Sequence, residues 1–215
     1  MTKLLLIGAG GHCKVVIDAL SRLKHFKVAG IIDLPQKSGE LISGIPVTGT
    51  DRDLGLFYRR GIRHCHISVG SIGSPALRIK LWKQAAAAGF AFSTIISRHA
   101  IVSGTCTIGD GSFVAPGAVI NAGAKVGSNC IINTAAVIDH DCVIGDFTHV
   151  APGAVLGGGV SVGKFSHIGT GSSLMQYVTI GKKTVIGMGS VVTKSFGDNL
   201  TAFGCPCAVI RENNG

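Results

Sequence analysis

Aromatic side chains and charges are both scarce in this chain. Trp occurs once, Tyr twice and Phe nine times in 215 residues, and charged residues make up only 14%. No aromatic RNA-binding motif, zinc-finger spacing or basic helix is present, so nucleic acid is not an expected partner. No apolar stretch approaches the ~20 residues of a membrane helix. The opening residues MTKLLLIG have neither the long apolar segment nor the small-residue cleavage site of a signal peptide, and a cytoplasmic location is expected. The seven cysteines are odd in number and contain no Cys-x-x-Cys, which argues against a disulfide scaffold or a zinc ribbon. With 46% hydrophobic residues, the low charge also argues against disorder.

What the chain has in excess is glycine, at 32 residues, and a positive charge that is unevenly spread. Residues 1–97 hold 13 basic and 5 acidic side chains, whereas residues 98–215 hold 7 and 6. A basic first half suits either solvated lysines or an anionic ligand such as a phosphorylated small molecule.

Residues 1–97 alternate strand and helix patterns. Lys3–Gly8 reads as a buried strand, and Gly11–Leu23 as a helix with Val15, Val16, Ala19, Leu20 and Leu23 on one face. Val28–Asp33 reads as a second strand. Thr50 is an N-cap signal for a helix carrying Leu54, Phe57 and Tyr58 and stopped by Gly61. Cys65–Gly70 reads as a third strand, and Ser74-Pro75 opens a helix that Gly89 closes. This βαβαβα order predicts an α/β domain with a small, parallel, Rossmann-like sheet.

Residues 98–215 follow a different rule. Every sixth residue from Val102 to Val192 is aliphatic, sixteen positions without a slip, and the residue four further on is small at almost every step. A period of six fits neither a long helix nor a hairpin sheet. It is the hexapeptide repeat of a parallel β-helix, with three repeats, or 18 residues, per triangular coil. Cys106, Cys130 and Cys142 fall on the small inward position and read as core fillers rather than nucleophiles. Trp82 lies in a helix of the first half and reads as packing.

Residues 18 apart stack on neighbouring rungs, about 4.8 Å apart. His149 and His167 therefore share a column, and His140 shares one with Ala122 below and Gly158 above. His140 stands between Asp139 and Asp141, and an adjacent carboxylate can hold an imidazole's tautomer and raise its basicity. A surface histidine in a polar corner is the alternative. His140, His149 and His167 differ by 9, 18 and 27, spacings that do not build a three-ligand site, so no metal is expected. Gly8-Ala-Gly10-Gly11-His12 lies at a strand-to-helix turn, which aims backbone N–H groups at a phosphate. Cys13 replaces the last glycine of the dinucleotide fingerprint, which disfavours a nicotinamide cofactor. Asp33, closing the second strand, is placed to meet a ribose or base, and a plain tight turn remains the other reading.

Together these features resemble the hexapeptide-repeat nucleotide-sugar N-acetyltransferases that make N-acetylated dideoxy sugars, with sialic acid O-acetyltransferases as relatives. The resemblance rests on LIGAGGH (6–12), IDHDCVIGDFTHV (138–150), the unbroken repeat and the closing Gly204-Cys205-Pro206. The family's usual ending, Gly-x-Pro-Ala-Lys, is here Gly-Cys-Pro-Cys-Ala. The resemblance implies a left-handed β-helix, acetyl-CoA as co-substrate, a nucleotide-linked amino sugar as acceptor and a homotrimer. It implies His140 as general base beside Asp141, and His149, Gly158 and His167 on the donor side, with the Gly158 amide on the acetyl carbonyl. It places the acceptor's nucleotide at Gly8, Gly10, Gly11, His12, Asp33 and Gly70. Hydroxyl acetylation and a non-catalytic β-helix module are the alternatives that the sequence leaves open.

Overall fold

The computed structural model describes residues 1–213. Its contacts divide the chain into two units, Met1–Ser71 with Ala76–Arg98, and Ile72–Pro75 with the chain from His99 onward.

The first unit runs β1 (Thr2–Ile7), α1 (Gly11–Ser21), β2 (Phe26–Ile32), β3 (Leu41–Ile42), β4 (Ile45–Gly49), α2 (Leu54–Arg59), β5 (His64–Ile67), α3 (Ala76–Ala87) and β6 (Ala91–Phe92). The sheet order is β3-β4-β2-β1-β5-β6, parallel throughout except for the β3–β4 hairpin. Leu4, Leu5, Leu6 and Ile7 are all buried, as a parallel strand covered on both faces requires. The hairpin was not expected from the sequence. Its strands are short and Pro46 interrupts the second, but Ser43 (φ 48°) and Gly44 (φ 80°) form the two-residue turn with both φ angles positive. Thr50 caps a 3-10 turn (Asp51–Asp53) rather than α2 itself, and Asp53 accepts hydrogen bonds from the Thr50 amide and hydroxyl at 2.8 and 3.0 Å.

The second unit is a left-handed parallel β-helix of two-residue strands. They stack in three sheets with an 18-residue register, as in Val137↔Val155, Lys125↔Val143 and Ile131↔His149. The aliphatic positions from Val114 to Val192 point inward and are buried, and together they form one continuous core.

The corners explain the period. Every sixth residue from Gly111 to Gly189 has positive φ, seven of them glycines and seven not, Asp141 (φ 58°) among the latter. The next residue is the small one, and smallness is only part of its role. The Ser112, Thr148, Ser166 and Ser172 hydroxyls donate to the carbonyls of Gly127, Gly163, Gly181 and Gly187 at 2.7–3.1 Å. The Cys130 and Cys142 thiols do the same toward Gly145 and Gly157, at 3.2 and 3.3 Å. Each of these six corner carbonyls thus finds a donor on the rung below it. The coil ends where Leu200–Gly204 pairs antiparallel with Cys207–Glu212.

Candidate active site

His140 sits at a corner of the β-helix, between the strands Val137–Ile138 and Val143–Ile144. Its Nδ1 lies 2.9 Å from Asp141 Oδ2, and its backbone N–H donates to Asp139 Oδ1 at 2.8 Å. Asp139 is held in turn by Asn121 Nδ2, one rung down, also at 2.8 Å. The positive φ of Asp141 turns its carboxylate back toward the imidazole. The side chain fits because the position one rung below is Gly123, where a Cβ would come 2.5 Å from Asp141 Oδ1. The hydrogen bond to Asp141 raises the His140 imidazole above its ordinary pKa, and Asp139 adds to the effect by charge. The Asn121 hydrogen bond first, and the His140 amide second, lower the Asp139 carboxyl.

Above the ring lies Gly158. A Cβ there would meet the His140 imidazole, 2.6 Å from Cε1, so only glycine leaves room. The Gly158 residue is buried, and no hydrogen bond among the described residues uses its N–H. An imidazole polarised by a carboxylate, with its Nε2 edge beside an open amide donor, can take a proton and steady an oxyanion.

His149 and His167 face outward from a different sheet, stacked edge to face with ring centroids 4.9 Å apart. Asn133 fixes the first. Its Oδ1 accepts from the Thr134 amide at 2.8 Å, so its Nδ2 is the end that lies 3.1 Å from His149 Nε2. His149 Nε2 therefore accepts, and the ring hydrogen sits on Nδ1. Burial lowers the His167 imidazole, and its Nδ1 makes no hydrogen bond among the described residues.

In the first unit, the strand order reverses between β1 and β5, and ligands of such sheets bind beyond the strand ends at that switch point. Gly8 (φ 110°) packs against Val69 so closely that a Cβ would overlap its Cγ2. Gly10 is the N-cap of α1 with no side-chain cap, and a Cβ on Gly10 or Gly11 would meet nothing. At Gly10 and Gly11 the helix N-terminus is thus bare backbone, which suits an anion. Gly70 lies against His12, where a Cβ would be 3.6 Å from the His12 Cβ. Asp33, expected from the sequence to meet a ribose or base, also has partners within the chain. It accepts from the amides of Ala9 (2.5 Å) and Leu34 (2.7 Å) and from Lys37 Nζ (3.3 Å), so it braces the glycine turn. Burial would raise the Asp33 carboxyl, but the Leu34 and Ala9 amides and Lys37 together bring it below the ordinary range.

The PglD N-terminal domain family matches residues 3–85, and the bacterial transferase hexapeptide family matches residues 123–158. A histidine-to-asparagine variant of perosamine N-acetyltransferase from Caulobacter crescentus, solved with CoA and GDP-perosamine, is 36% identical. The match covers 99% of this chain and 98% of that one, with a TM-score of 0.90. The chain belongs to the hexapeptide-repeat nucleotide-sugar N-acetyltransferases. The acetyltransferase domain of PglB from Neisseria gonorrhoeae, solved with acetyl coenzyme A, is 35% identical over 97% of this chain and 98% of that one (TM-score 0.87). WeeI from Acinetobacter baumannii is 26% identical over 98% and 100% (TM-score 0.80). The chain has no match among curated protein sequences.

In this acetyltransferase the turn residues Gly8, Gly10, Gly11, His12, Asp33 and Gly70 all belong to the first unit, and His140, Asp141, His149, Gly158 and His167 to the second. Gly158 meets His140, and His149 meets His167, as the 18-residue column rule requires. Asn121 and Asn133 were missed from the sequence. The column rule, applied backward from Asp139, finds Asn121; Asn133, 16 residues before His149, has no such signal. Among the described residues, no group of three His, Cys, Asp or Glu side chains is placed to hold a metal ion. No helix among them is long and apolar enough to cross a membrane.

Proposed function

We propose that this acetyltransferase moves the acetyl group of acetyl-CoA to the amine of a nucleotide-linked amino-dideoxy sugar, such as a UDP- or GDP-4-amino-4,6-dideoxyhexose, in the cytoplasm. The observation that carries the mechanism is the His140 corner: Nδ1 tied to Asp141, the ring against Gly158, and the Gly158 N–H open. His140 takes the proton from the sugar nitrogen as the nitrogen bonds to the thioester carbon. The Gly158 amide holds the developing oxyanion, an effect worth ~3–4 kcal/mol per donor. The tetrahedral carbon then re-forms its carbonyl, the C–S bond breaks, and the imidazolium returns the proton to the CoA thiolate. The products are the N-acetyl sugar and CoA, and no cysteine forms a covalent intermediate. The uncapped turn at Gly8–His12, with Gly70 and the Asp33 brace, holds the diphosphate of the acceptor.

His149 and His167 serve the donor side, and a homotrimer is part of this proposal. In the triangular coil the His140 corner lies between the sheets of Val137–Ile138 and Val143–Ile144, so it stands opposite the sheet that carries His149. One protomer cannot bring both into one pocket, whereas two neighbouring copies can. The outward column through Ile101, Val155 and Val191 is 68%, 42% and 38% exposed, apolar surface that association would cover.

The Caulobacter crescentus relative is an N-acetyltransferase by name, which favours an amine over a hydroxyl acceptor. The test is a panel of UDP- and GDP-linked amino sugars and of sialic acid with acetyl-CoA, read by released thiol. Turnover of an amino sugar, falling roughly 10²–10⁴-fold in kcat in His140→Asn, is expected. Matching kcat values for the two proteins near neutral pH would refute His140 as the base.

A further inference from the structure

Three corner positions that adopt the left-handed backbone carry aromatic rings, Phe147 (φ 56°), Phe165 (φ 66°) and Tyr177 (φ 60°). A bulky residue is unfavourable there, and glycine fills seven of the equivalent corners. Phe147 and Phe165 account for each other: their rings pair with centroids 5.9 Å apart, and the Lys164 ammonium sits 5.4 Å over Phe165. Tyr177 has no such partner. The residue is 73% exposed, and its side chain makes no hydrogen bond or ring contact among the described residues.

The ring lies instead on Gly159, where a Cβ would come 2.5 Å from Tyr177 Cδ1 and 2.6 Å from Cε1. The Tyr177 N–H donates to the Gly158 carbonyl at 2.9 Å, and the Gly159 N–H donates to the His140 carbonyl at 2.8 Å. The imidazole of His140 and the phenol of Tyr177 therefore cover neighbouring α-carbons, about 3.8 Å apart across a trans peptide. Both glycines are required: one admits the ring from below, the other the ring from above.

We propose that Tyr177 sets the size of the acyl group that the donor site accepts. The inference rests on the reading that the acyl carbonyl binds the Gly158 N–H. A carbonyl oxygen held ~2.9 Å from that nitrogen places its methyl carbon within roughly 5 Å of it. The amine must arrive from the His140 side, and the long pantetheine arm must leave toward the neighbouring copy that carries the donor-side His149. The methyl is the substituent left facing the Tyr177 ring. Each added methylene pushes the chain into space the ring already fills, so acetyl fits and longer acyl chains clash.

The test is calorimetric and needs no acceptor: dissociation constants of acetyl-CoA, propionyl-CoA and butyryl-CoA for the wild type, Tyr177→Phe and Tyr177→Gly. The wild type and Tyr177→Phe are expected to bind acetyl-CoA at least ten-fold more tightly than butyryl-CoA, because the ring and not the hydroxyl excludes the chain. In Tyr177→Gly the ratio should fall below three-fold. Glycine suits the positive φ, so this variant should melt no lower than the wild type, and a thermal scan checks that it is folded. A wild type that does not discriminate, or a ratio unchanged in Tyr177→Gly, would overturn the proposal. Failure of the His140 reading would show separately, as undiminished acetyl transfer by His140→Asn.

Discussion

The His140 imidazole rests on the Gly158 α-carbon, leaving 2.6 Å between its Cε1 and where a Cβ would stand. Gly158→Ala therefore forces the ring away from the amide that lies beside it. The expected result is a kcat loss of ~10²-fold, the share that a general base ordinarily contributes. The KM for the acceptor should change less than three-fold, since the proposed nucleotide site lies in the first unit. Steady-state kinetics checks this, and an unaltered kcat would show that the ring need not sit there.

The Asp141 hydrogen bond raises the His140 imidazole above the ordinary ~6.5 of a histidine, so the free base disappears already above that pH as acid is added. The acid limb of kcat/KM for the wild type should accordingly titrate above 6.5. Asp141→Asn removes the charge and leaves a single, weaker acceptor oxygen. Its acid limb should move to lower pH, with kcat on the plateau reduced because the ring is less firmly held. A limb that stays in place would assign the ionisation to another group.

Most of the β-helix was legible because its geometry repeats. Each aliphatic position from Val114 onward faces the same interior, and one period locates the column of every residue, including Gly158 over His140. The first unit was legible in its main strands, but the Leu41–Gly49 hairpin was not, being too short for a periodic signal. The position of Asp33 at the end of the second strand was legible, while its hydrogen-bond partners were not. Which atoms a carboxylate faces depends on the path of the chain around Ala9, Leu34 and Lys37, and no spacing encodes that.

Cys142 donates its thiol hydrogen to the Gly157 carbonyl at 3.3 Å, beside the site but turned inward. Serine does the same at residues 112, 166 and 172. Cys142→Ser should hold its activity and melt within ~4 °C of the wild type, the shift of about 1 kcal/mol. Cys142→Val fills similar space but strands that carbonyl, and a loss of about 1–3 kcal/mol is expected in chemical denaturation. Inactive but folded Cys142→Ser would point to a chemical role for the thiol.

Asn133 holds the His149 ring with Nε2 as acceptor, 3.1 Å from its amide nitrogen. Asn133→Leu removes that donor and frees the ring to turn. The KM for acetyl-CoA should rise about ten-fold, the 1.4 kcal/mol expected from a hydrogen bond in a buried setting, with kcat at saturation little changed. A matched rise in the acceptor KM would instead place His149 on the sugar side.

Asp33 offers the sharpest separation of binding from chemistry. Its two oxygens serve the Ala9 and Leu34 amides, and the oxygen bound to Ala9 also meets Lys37 at 3.3 Å. Asparagine keeps the shape but has one acceptor oxygen, so Asp33→Asn leaves one amide facing an NH₂ group. If that is the Ala9 amide, the Gly8–Gly11 turn loses the tie that sets its N–H groups toward a phosphate. The acceptor's KM should rise at least ten-fold while kcat at saturation changes less than three-fold, because His140 lies in the other unit. The same carboxyl titrates below its unfolded value in the folded protein. Its stabilising contribution is therefore complete above about pH 3.9, the unfolded value, and is lost only as the pH falls through the lower folded one. Nucleotide diphosphate binding, followed by calorimetry, should accordingly hold level from pH 8 down to about 5 as far as Asp33 is concerned. Equal acceptor KM values in wild type and Asp33→Asn would show that the glycine turn keeps its shape unaided.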